Sequence, residues 1–220
     1  MPDERVLRGA HESARRVLNV TVAALALVVA LPLMALIALA VWASSPGPVF
    51  YTQTRIGVDR RRRAGSGMSG DRHVAFGGRP FTIYKFRTMY VRGAAPQAWA
   101  RPDDDRVTPV GRVLRKFRLD ELPQLVNVLL GDMNVVGPRP EQPDIFAELS
   151  RQIERYAWRQ AVLPGITGWA QVNQGYDQTL DDVRRKVQLD LEYVARRSPL
   201  EDLRIMLRTV PVMLGRRGAL

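Results

Sequence analysis

The sequence has no cysteine and only two histidines, His11 and His73, among its 220 residues. The lack of cysteine excludes a disulfide framework, thiolate metal sites and thiol nucleophiles, and the scarcity of histidine disfavours a histidine metal site or triad. Carboxylates and guanidinium groups remain to carry any chemistry. The charges are unbalanced: 33 Lys and Arg against 22 Asp and Glu give a formal net charge of +11. This excess indicates an anionic partner, which could be nucleic acid, an anionic lipid surface or a phosphorylated substrate.

Charge itself is absent between residues 17 and 54, and residues 17–43 are almost wholly apolar. About 20 apolar helical residues suffice to cross a bilayer, and the stretch is too long for the apolar core of a typical signal peptide. Arginines flank it on both sides, although positive residues mark the cytoplasmic side only. Since Pro32 near the middle can kink a helix, we expect a re-entrant membrane helix over residues 17–47. A straight crossing helix and a cleaved signal peptide are the alternatives.

The rest of the chain follows a basic N-terminal segment (residues 1–16) and this apolar helix, and we expect it to form one domain over residues 48–220. Residues 59–78 are basic and rich in glycine, which is typical of a mobile loop, either solvated or held against anionic lipid headgroups. Residues 163–168 also have the composition of a loop. Extended segments are expected at 48–53 and 81–86, and apolar periodicity predicts helices within 110–130, 144–160, 180–196 and 200–214. The segment 198–214, which contains the last of these helices, fits either a helix in the membrane interface or a helix packed on the core.

Two adjacent carboxylates, Asp120 and Glu121, lie inside an apolar pattern and form what we call the acidic pair. Successive helical residues point about 100° apart, so the two side chains are expected to have different roles. Pro123 is tolerated only in a first helical turn, which places the pair near a helix N-terminus, where carboxylates and incoming phosphates are both favoured. An aspartate beside a bound diphosphate is a plausible nucleophile, whereas ordinary helix capping is the alternative.

Cations are needed if a carboxylate is to approach a phosphate, and Arg and Mg²⁺ are the usual agents. Arg139 stands between Pro138 and Pro140, which fix the backbone and orient a side chain able to bind phosphate through two hydrogen bonds. The other candidate cations are Lys85, Arg87, Arg112 and Arg115. A separate polar cluster near Gln171 is suited to binding a base or sugar, or to forming a packed turn.

Several long segments, in order, carry a resemblance to a known family. They are PVFYTQTRIG from Pro48, YKFRTM from Tyr84, residues 104–141 including RLDELPQL and GPRPE, PGITGWAQVNQ from Pro164, and KVQLDLEYV from Lys186. On these segments the chain resembles the monotopic phosphoglycosyl transferases, also called bacterial sugar transferases. The match covers nearly the whole chain from about residue 15, and it is far more specific than a single short motif.

The resemblance implies a helix-rich α/β catalytic domain with few short strands, held on the cytoplasmic face of the membrane by a re-entrant helix and interfacial helices. It implies a Mg²⁺-dependent ping-pong reaction in which an aspartate attacks a UDP-sugar, UMP leaves, and polyprenyl phosphate takes the phosphosugar. Asp120 would then be nucleophile and metal ligand, and Glu121 its partner. Four residues would hold phosphates or lie in the site: Lys85, Arg115, Arg139 and Asp190. The family's membrane helix commonly bends at a Ser-Pro pair, which here is Leu31-Pro32.

Two other functions remain to be distinguished. A glycosyltransferase without covalent catalysis would release UDP instead of UMP. A non-enzymatic basic module on an anionic phospholipid surface would release neither; no nucleic-acid motif is present, so nucleic acid is not an expected partner. The sequence does not identify the sugar, and it leaves open whether the chain forms a homodimer.

Overall fold

The computed structural model describes residues 4–59, 78–91, 104–175 and 179–214. Within these ranges the chain is rich in helix and has few strands, which confirms the helix-rich part of the expected fold class. The helices are α1 (Glu4–Ser44), α2 (Pro109–Lys116), α3 (Gln124–Leu130), α4 (Pro143–Gln152), α5 (Trp169–Asn173), α6 (Leu180–Arg196) and α7 (Pro199–Leu214). Two 3-10 helices cover Leu119–Glu121 and Tyr156–Ala161, and the strands are β1 (Phe50–Ile56), β2 (Pro80–Phe86), β3 (Asn134–Val136) and β4 (Gly165–Thr167).

The apolar N-terminal segment forms helix α1, which begins well before residue 17 and continues through Pro32. The part of α1 from His11 to Ser44 contains an 18-residue window with a mean hydropathy of 2.8, so the helix is long and apolar enough to cross a membrane. Leu31 and Pro32 are both exposed. Whether α1 bends there within a membrane stays a prediction.

Both halves of α1 contact the same domain. Ala23 is buried against a cluster that includes Phe81 and Leu125, and Ile37 and Val41 are buried against Phe86 and Leu114. The opposite face of α1 carries exposed large apolar side chains: Val17, Leu25, Val28, Val29, Leu31, Leu33, Leu36, Leu39 and Trp42. An apolar helix therefore lies along the domain with one stripe packed and the other uncovered.

Two small sheets position the loops of the domain. Strands β1 and β2 are antiparallel, and Phe50 pairs with Phe86 at one end of the ladder. Strands β3 and β4 are parallel, so Val136 pairs with Thr167. The expected loop over 163–168 therefore contains a strand, because Gly137 and Gly165 allow the two backbones to approach too closely for a Cβ.

Helical periodicity predicted some helices correctly and merged others. Helices α6 and α7 confirm the expectations over 180–196 and 200–214, and Pro211 lies inside α7. The pattern over 110–130, however, comprises α2, a 3-10 turn and α3, and the helix expected over 144–160 ends at Gln152 before the second 3-10 helix. At each break one arginine has a left-handed backbone, Arg118 with φ 54° and Arg155 with φ 62°. A right-handed helix cannot continue through that conformation. The basic loop expected over 59–78 lies, except for its two end residues, outside the described residues.

Candidate active site

The acidic pair lies on the 3-10 turn between α2 and α3. Asp120 is 9% and Glu121 6% exposed, so both carboxyl groups are buried. Pro123 follows as the N-cap of α3, which confirms the position of the pair just before a helix N-terminus. Burial of two adjacent carboxylates is costly unless cations or hydrogen bonds compensate for the lost hydration.

Glu121 is held by two cations from separate parts of the chain. Lys85 Nζ on β2 lies 2.7 Å from Glu121 Oε1. Arg139, in the loop after β3, donates to both oxygens, at 2.5 Å to Oε1 and 3.3 Å to Oε2. Burial alone would raise the pKa of Glu121, but Arg139 and Lys85 lower that pKa well below its usual range. Burial lowers the pKa of Lys85, and the charge of Glu121 opposes this change. Glu121 is therefore a fixed anion at the centre of the site.

Asp120 is held differently. Within the part of the chain that the structure describes, its carboxyl group makes no side-chain hydrogen bond. Burial raises the pKa of Asp120, as does the neighbouring charge of Glu121, whereas Lys85, Arg139 and Arg115 act in the opposite direction. The two carboxylates thus have unlike environments, as their adjacent positions predicted, and Asp120 is the one left available to a ligand.

The predicted cations Arg115 and Arg87 lie on either side of Thr88 but have different partners. Arg115 Nε on α2 donates to Thr88 Oγ1 at 2.9 Å, and its charge acts on Asp120. The guanidinium of Arg87 is buried and donates instead to the backbone carbonyls of Val41, Ser45 and Pro46 at the end of α1. The structure therefore brings Arg115 to the acidic pair, whereas Arg87 caps the C-terminal end of α1.

Asp190 lies in a second ionic network beside the first. Its Oδ2 accepts from Arg159 Nε at 3.0 Å and from Arg159 Nη2 at 2.7 Å, with both side chains almost fully buried. Arg159 also contacts Glu141 Oε1 at 3.3 Å and the carbonyl oxygen of Arg139 at 3.1 Å. Burial would lower the pKa of Arg159, but Tyr156, Asp190 and Glu141 raise it above its usual range. Asp190 therefore supports the loop of Arg139 from behind, through Arg159, and does not contact the acidic pair.

A cleft of about 150 Å³ opens beside Arg139. Gln171 lines it and donates from Nε2 to the carbonyl of Ile166 at 2.8 Å, while its Oε1 is buried and has no hydrogen-bond partner among the described residues. The cleft is lined by Arg118, Arg139, Glu141, Ala170, Gln171, Gln174, Gly175 and Lys186. Its mixture of cations and amides suits an anionic ligand with a polar head.

Four residues of this region were missed from the sequence: Arg118, Glu141, Arg159 and Lys186. Glu141 accepts from Lys186 Nζ at 3.0 Å, and although burial would raise its pKa, Lys186 and Arg159 lower it to about 2. Glu141 follows the Pro-Arg-Pro segment directly, and Lys186 precedes Asp190 by one helical turn, so spacing could have indicated both. Arg159 carried no such signal, because the carboxylates that it binds, Asp190 and Glu141, come from distant parts of the chain.

No three Asp, Glu or His side chains converge as a metal site among the described residues. Glu121 is occupied by Lys85 and Arg139, which leaves Asp120 as one carboxylate able to reach a cation. Mg²⁺ is commonly held by one or two carboxylates together with substrate phosphates and water. The residues present therefore fit Mg²⁺ only as an ion shared with a phosphorylated ligand.

Fold and site together define a protein with one long apolar helix, a buried acidic pair, converging cations and an adjacent cleft. The family model for bacterial sugar transferases matches residues 10–216. A UDP-glucose:undecaprenyl-phosphate glucose-1-phosphate transferase of Caulobacter vibrioides is 43% identical over 210 residues, covering 94% of this chain and 72% of the relative. The chain belongs to the bacterial sugar transferase family.

Two longer relatives extend the comparison. A UDP-N-acetylgalactosamine-undecaprenyl-phosphate N-acetylgalactosaminephosphotransferase of Aeromonas hydrophila is 39% identical over 93% of this chain and 44% of the relative. A UDP-glucose:undecaprenyl-phosphate glucose-1-phosphate transferase of Escherichia coli K12 is 40% identical over 93% of this chain and 41% of the relative. The chain thus spans less than half the length of these two proteins, and its similar relatives are named for different sugars.

Proposed function

We propose that this chain transfers a phosphosugar from a UDP-sugar to undecaprenyl phosphate and releases UMP. The observation that carries the proposal is the asymmetric acidic pair. Glu121 is fixed by Lys85 and Arg139, whereas the carboxyl group of Asp120 makes no side-chain hydrogen bond to any residue that the structure describes. Family membership and the names of the relatives support the substrate classes.

In the first half-reaction the donor diphosphate binds beside Arg139, with its nucleoside or sugar in the cleft near Gln171 and Lys186. A carboxylate oxygen of Asp120 attacks the phosphorus that bears the sugar. The bond from this phosphorus to the bridging oxygen breaks, UMP departs with the electron pair, and an aspartyl-phosphosugar forms on Asp120. In the second half-reaction a phosphate oxygen of undecaprenyl phosphate attacks the same phosphorus, Asp120 is released as a carboxylate, and an undecaprenyl diphosphate sugar forms.

Glu121 is unsuited to attack, because a carboxylate with a strongly lowered pKa and both oxygens hydrogen-bonded is a poor nucleophile. It holds Lys85 and Arg139 where the charge of a phosphoryl group would develop, so that these cations are already in place during transfer. Arg115 contributes positive charge from the other side, close to Asp120. Each residue of the pair then has one role.

Mg²⁺ fits this site through Asp120 and the donor phosphates, and when bound it would neutralise phosphate charge. Within the protein, burial limits water around Asp120, and water is the nucleophile that would wastefully hydrolyse a phosphosugar intermediate.

The packing of α1 and the exposed face of α7 support a re-entrant membrane arrangement. Both halves of α1 contact one domain, so a re-entrant helix that enters and leaves on the cytoplasmic face accounts for the packing better than a straight crossing. Helix α7 adds exposed Leu200, Leu203, Leu207 and Val210, which suit contact with acyl chains beside anionic headgroups.

Because the chain has no cysteine, single cysteines at the exposed positions Ser13 and Pro48 can be labelled selectively. Re-entrance predicts that an impermeant thiol reagent labels neither in intact spheroplasts and both in inverted vesicles, whereas a crossing helix exposes one from outside.

The reaction is tested with UDP-sugars labelled with ³²P in the sugar-bearing phosphate. Without acceptor, the wild type and a surface control, Glu192→Gln, should retain the label on the protein and release UMP, and added undecaprenyl phosphate should remove the label. Asp120→Asn should do neither, whereas Glu121→Gln should still accept some label but slowly. Release of UDP without protein labelling would establish an ordinary glycosyltransferase, and no release from any nucleotide sugar would favour a binding module.

A further inference from the structure

The N-terminal half of α1 is bound to the domain by polar contacts, one of which reaches Val136, three residues before Arg139. Asn19 is fully buried, its Oδ1 accepts from the backbone N–H of Val136 at 3.0 Å, and its Nδ2 donates to Asp202 Oδ2 at 2.8 Å. Arg15 Nε donates to the same Asp202 oxygen at 3.1 Å. A buried asparagine in an apolar membrane helix is costly unless such partners satisfy it, so the contacts are specific to this docked position.

Val136 is the last residue of β3 and receives partners on both its polar groups. While its N–H meets Asn19, its carbonyl oxygen lies 3.1 Å from the hydroxyl of Tyr193 on α6. The next residue, Gly137, turns the other way and donates to Thr167 on β4 at 2.9 Å. The strand is therefore fixed on one edge by β4 and on the other by side chains of α1 and α6.

Three residues after Val136, Arg139 bonds to both oxygens of Glu121. The intervening Gly137-Pro138 segment is tightly packed, since a Cβ at Gly137 would lie 2.3 Å from the carbonyl oxygen of Leu163. A short, crowded and proline-restricted connection transmits a shift of Val136 to Arg139 with little loss.

We infer that Asn19 is a positioning residue, through which docking of the membrane helix sets the position of Arg139 on Glu121. The inference deepens the proposed function, on which its catalytic consequence rests. Only when α1 occupies its docked position is Arg139 held in register to pair with Glu121 and receive a phosphate. The family's reaction is thereby tied to correct placement of the membrane helix.

The test compares Asn19→Ala with Arg16→Ala in the full chain in lipid nanodiscs. Arg16 also joins α1 to the domain, through Val128 O, Met133 O and Asn134 Oδ1, but none of its bonds reaches Val136. Within residues 137–141, where the two prolines have no N–H, hydrogen exchange should rise about tenfold at the amides of Gly137, Arg139 and Glu141 in Asn19→Ala and stay at the wild-type rate in Arg16→Ala. Equal exchange at 137–141 in the two variants would overturn the inference, whether or not the protein releases UMP.

The kinetics of UMP release give the functional readout. In the docked position Arg139 Nη2 lies 2.5 Å from Glu121 Oε1, and a displaced Arg139 would no longer receive the donor phosphate in register. The KM for UDP-sugar should therefore rise and kcat should fall in Asn19→Ala, whereas both should stay at the wild-type values in Arg16→Ala. Wild-type values of kcat and KM in Asn19→Ala would contradict the positioning role.

Should Asn19→Ala fail to fold, Tyr193→Phe decides the question, because the Tyr193 hydroxyl joins the carbonyl oxygen of Val136 to Arg15 of α1 and to Asp202, so its removal loosens the same docked contact. It should raise exchange at 137–141 in the same direction, and wild-type exchange there would overturn the inference. If the wild type itself releases no UMP, the proposed function fails, while the exchange experiment still decides the positioning role.

Discussion

Replacing Asp190 by alanine should destabilise the protein far more than it alters the chemistry of any correctly folded fraction. Asp190 is 1% exposed in α6, and its Oδ2 accepts two hydrogen bonds from Arg159, at 3.0 and 2.7 Å. After the substitution the buried guanidinium keeps Glu141 at 3.3 Å and the hydroxyl of Tyr156 at 2.9 Å. The substitution therefore removes one partner from a buried ion pair, and the remaining carboxylate, Glu141, partly compensates for the loss.

Deleting one member of a buried ion pair typically costs about 3–5 kcal/mol. Since Glu141 remains, we expect the lower end, about 3 kcal/mol. In a domain of this size 1 kcal/mol shifts Tm by about 2–4 °C, so Tm should fall by about 6–12 °C. Glu192→Ala is the matched control on the same helix, because Glu192 is half-exposed and its surface contacts are worth about 1 kcal/mol at most.

Thermal unfolding in one detergent, followed by circular dichroism, measures the difference, and UMP release below both transitions measures activity. We expect a clear fall in Tm for Asp190→Ala alone, with activity per folded molecule reduced by less than about tenfold. A wild-type Tm combined with loss of UMP release would refute this reasoning. Asp190 would then contact the substrate, as the family resemblance implied.

Three further predictions follow from individual side chains. Arg87→Met should lower Tm, because each charged hydrogen bond lost at the end of α1 costs about 1.5–3 kcal/mol. The KM for UDP-sugar should stay unchanged. A raised KM with an unchanged Tm would instead show that Arg87 binds phosphate. Arg118→Gly should raise the free energy of unfolding by about 1 kcal/mol, because it relieves the strain of the left-handed backbone, and urea titration measures this change. It should also raise the KM, measured from initial rates, because the cleft loses a cation. Glu141 has a folded pKa of about 2, below the unfolded value of about 4.3, so its ionic stabilisation is complete above the unfolded pKa and is lost as pH falls toward 2. The stability difference between wild type and Glu141→Gln should accordingly shrink between pH 5 and pH 3 in urea titrations, and a constant difference would contradict it.

The elements that the sequence predicted well are those set by local chemistry. Pro123 locates the start of α3, so the position of the acidic pair could be worked out from a few neighbouring residues. Helix α6 begins with a capping box between Thr179 and Asp182 and shows regular apolar spacing, and it was predicted to within a residue. Local signals of this kind need no knowledge of the tertiary fold.

The errors arose where tertiary contacts overrode the local pattern. The two helix breaks occur at Arg118 and Arg155, whose left-handed conformations no spacing rule predicts for arginine. The pairing of β3 with β4 joins two three-residue segments that are separated by a helix and a 3-10 helix, so neither segment reads as a strand alone. Short strands of this kind depend on partners distant in sequence.

The basic residues show most clearly why a site cannot be assigned from residue type. Arg87, Arg139 and Arg159 look alike in sequence, because each is a guanidinium beside proline, aromatic or apolar neighbours. In the fold, Arg87 meets the backbone carbonyls at a helix end, Arg159 meets buried carboxylates, and Arg139 meets Glu121 at the edge of a cleft. A guanidinium binds any oxygen acceptor with the same donors, so the acceptor that the fold supplies decides its role. Of these three arginines, Arg139 alone lines the cleft. A strongly positive net charge therefore predicts that the chain has an anionic partner, but it does not show which arginine binds that partner.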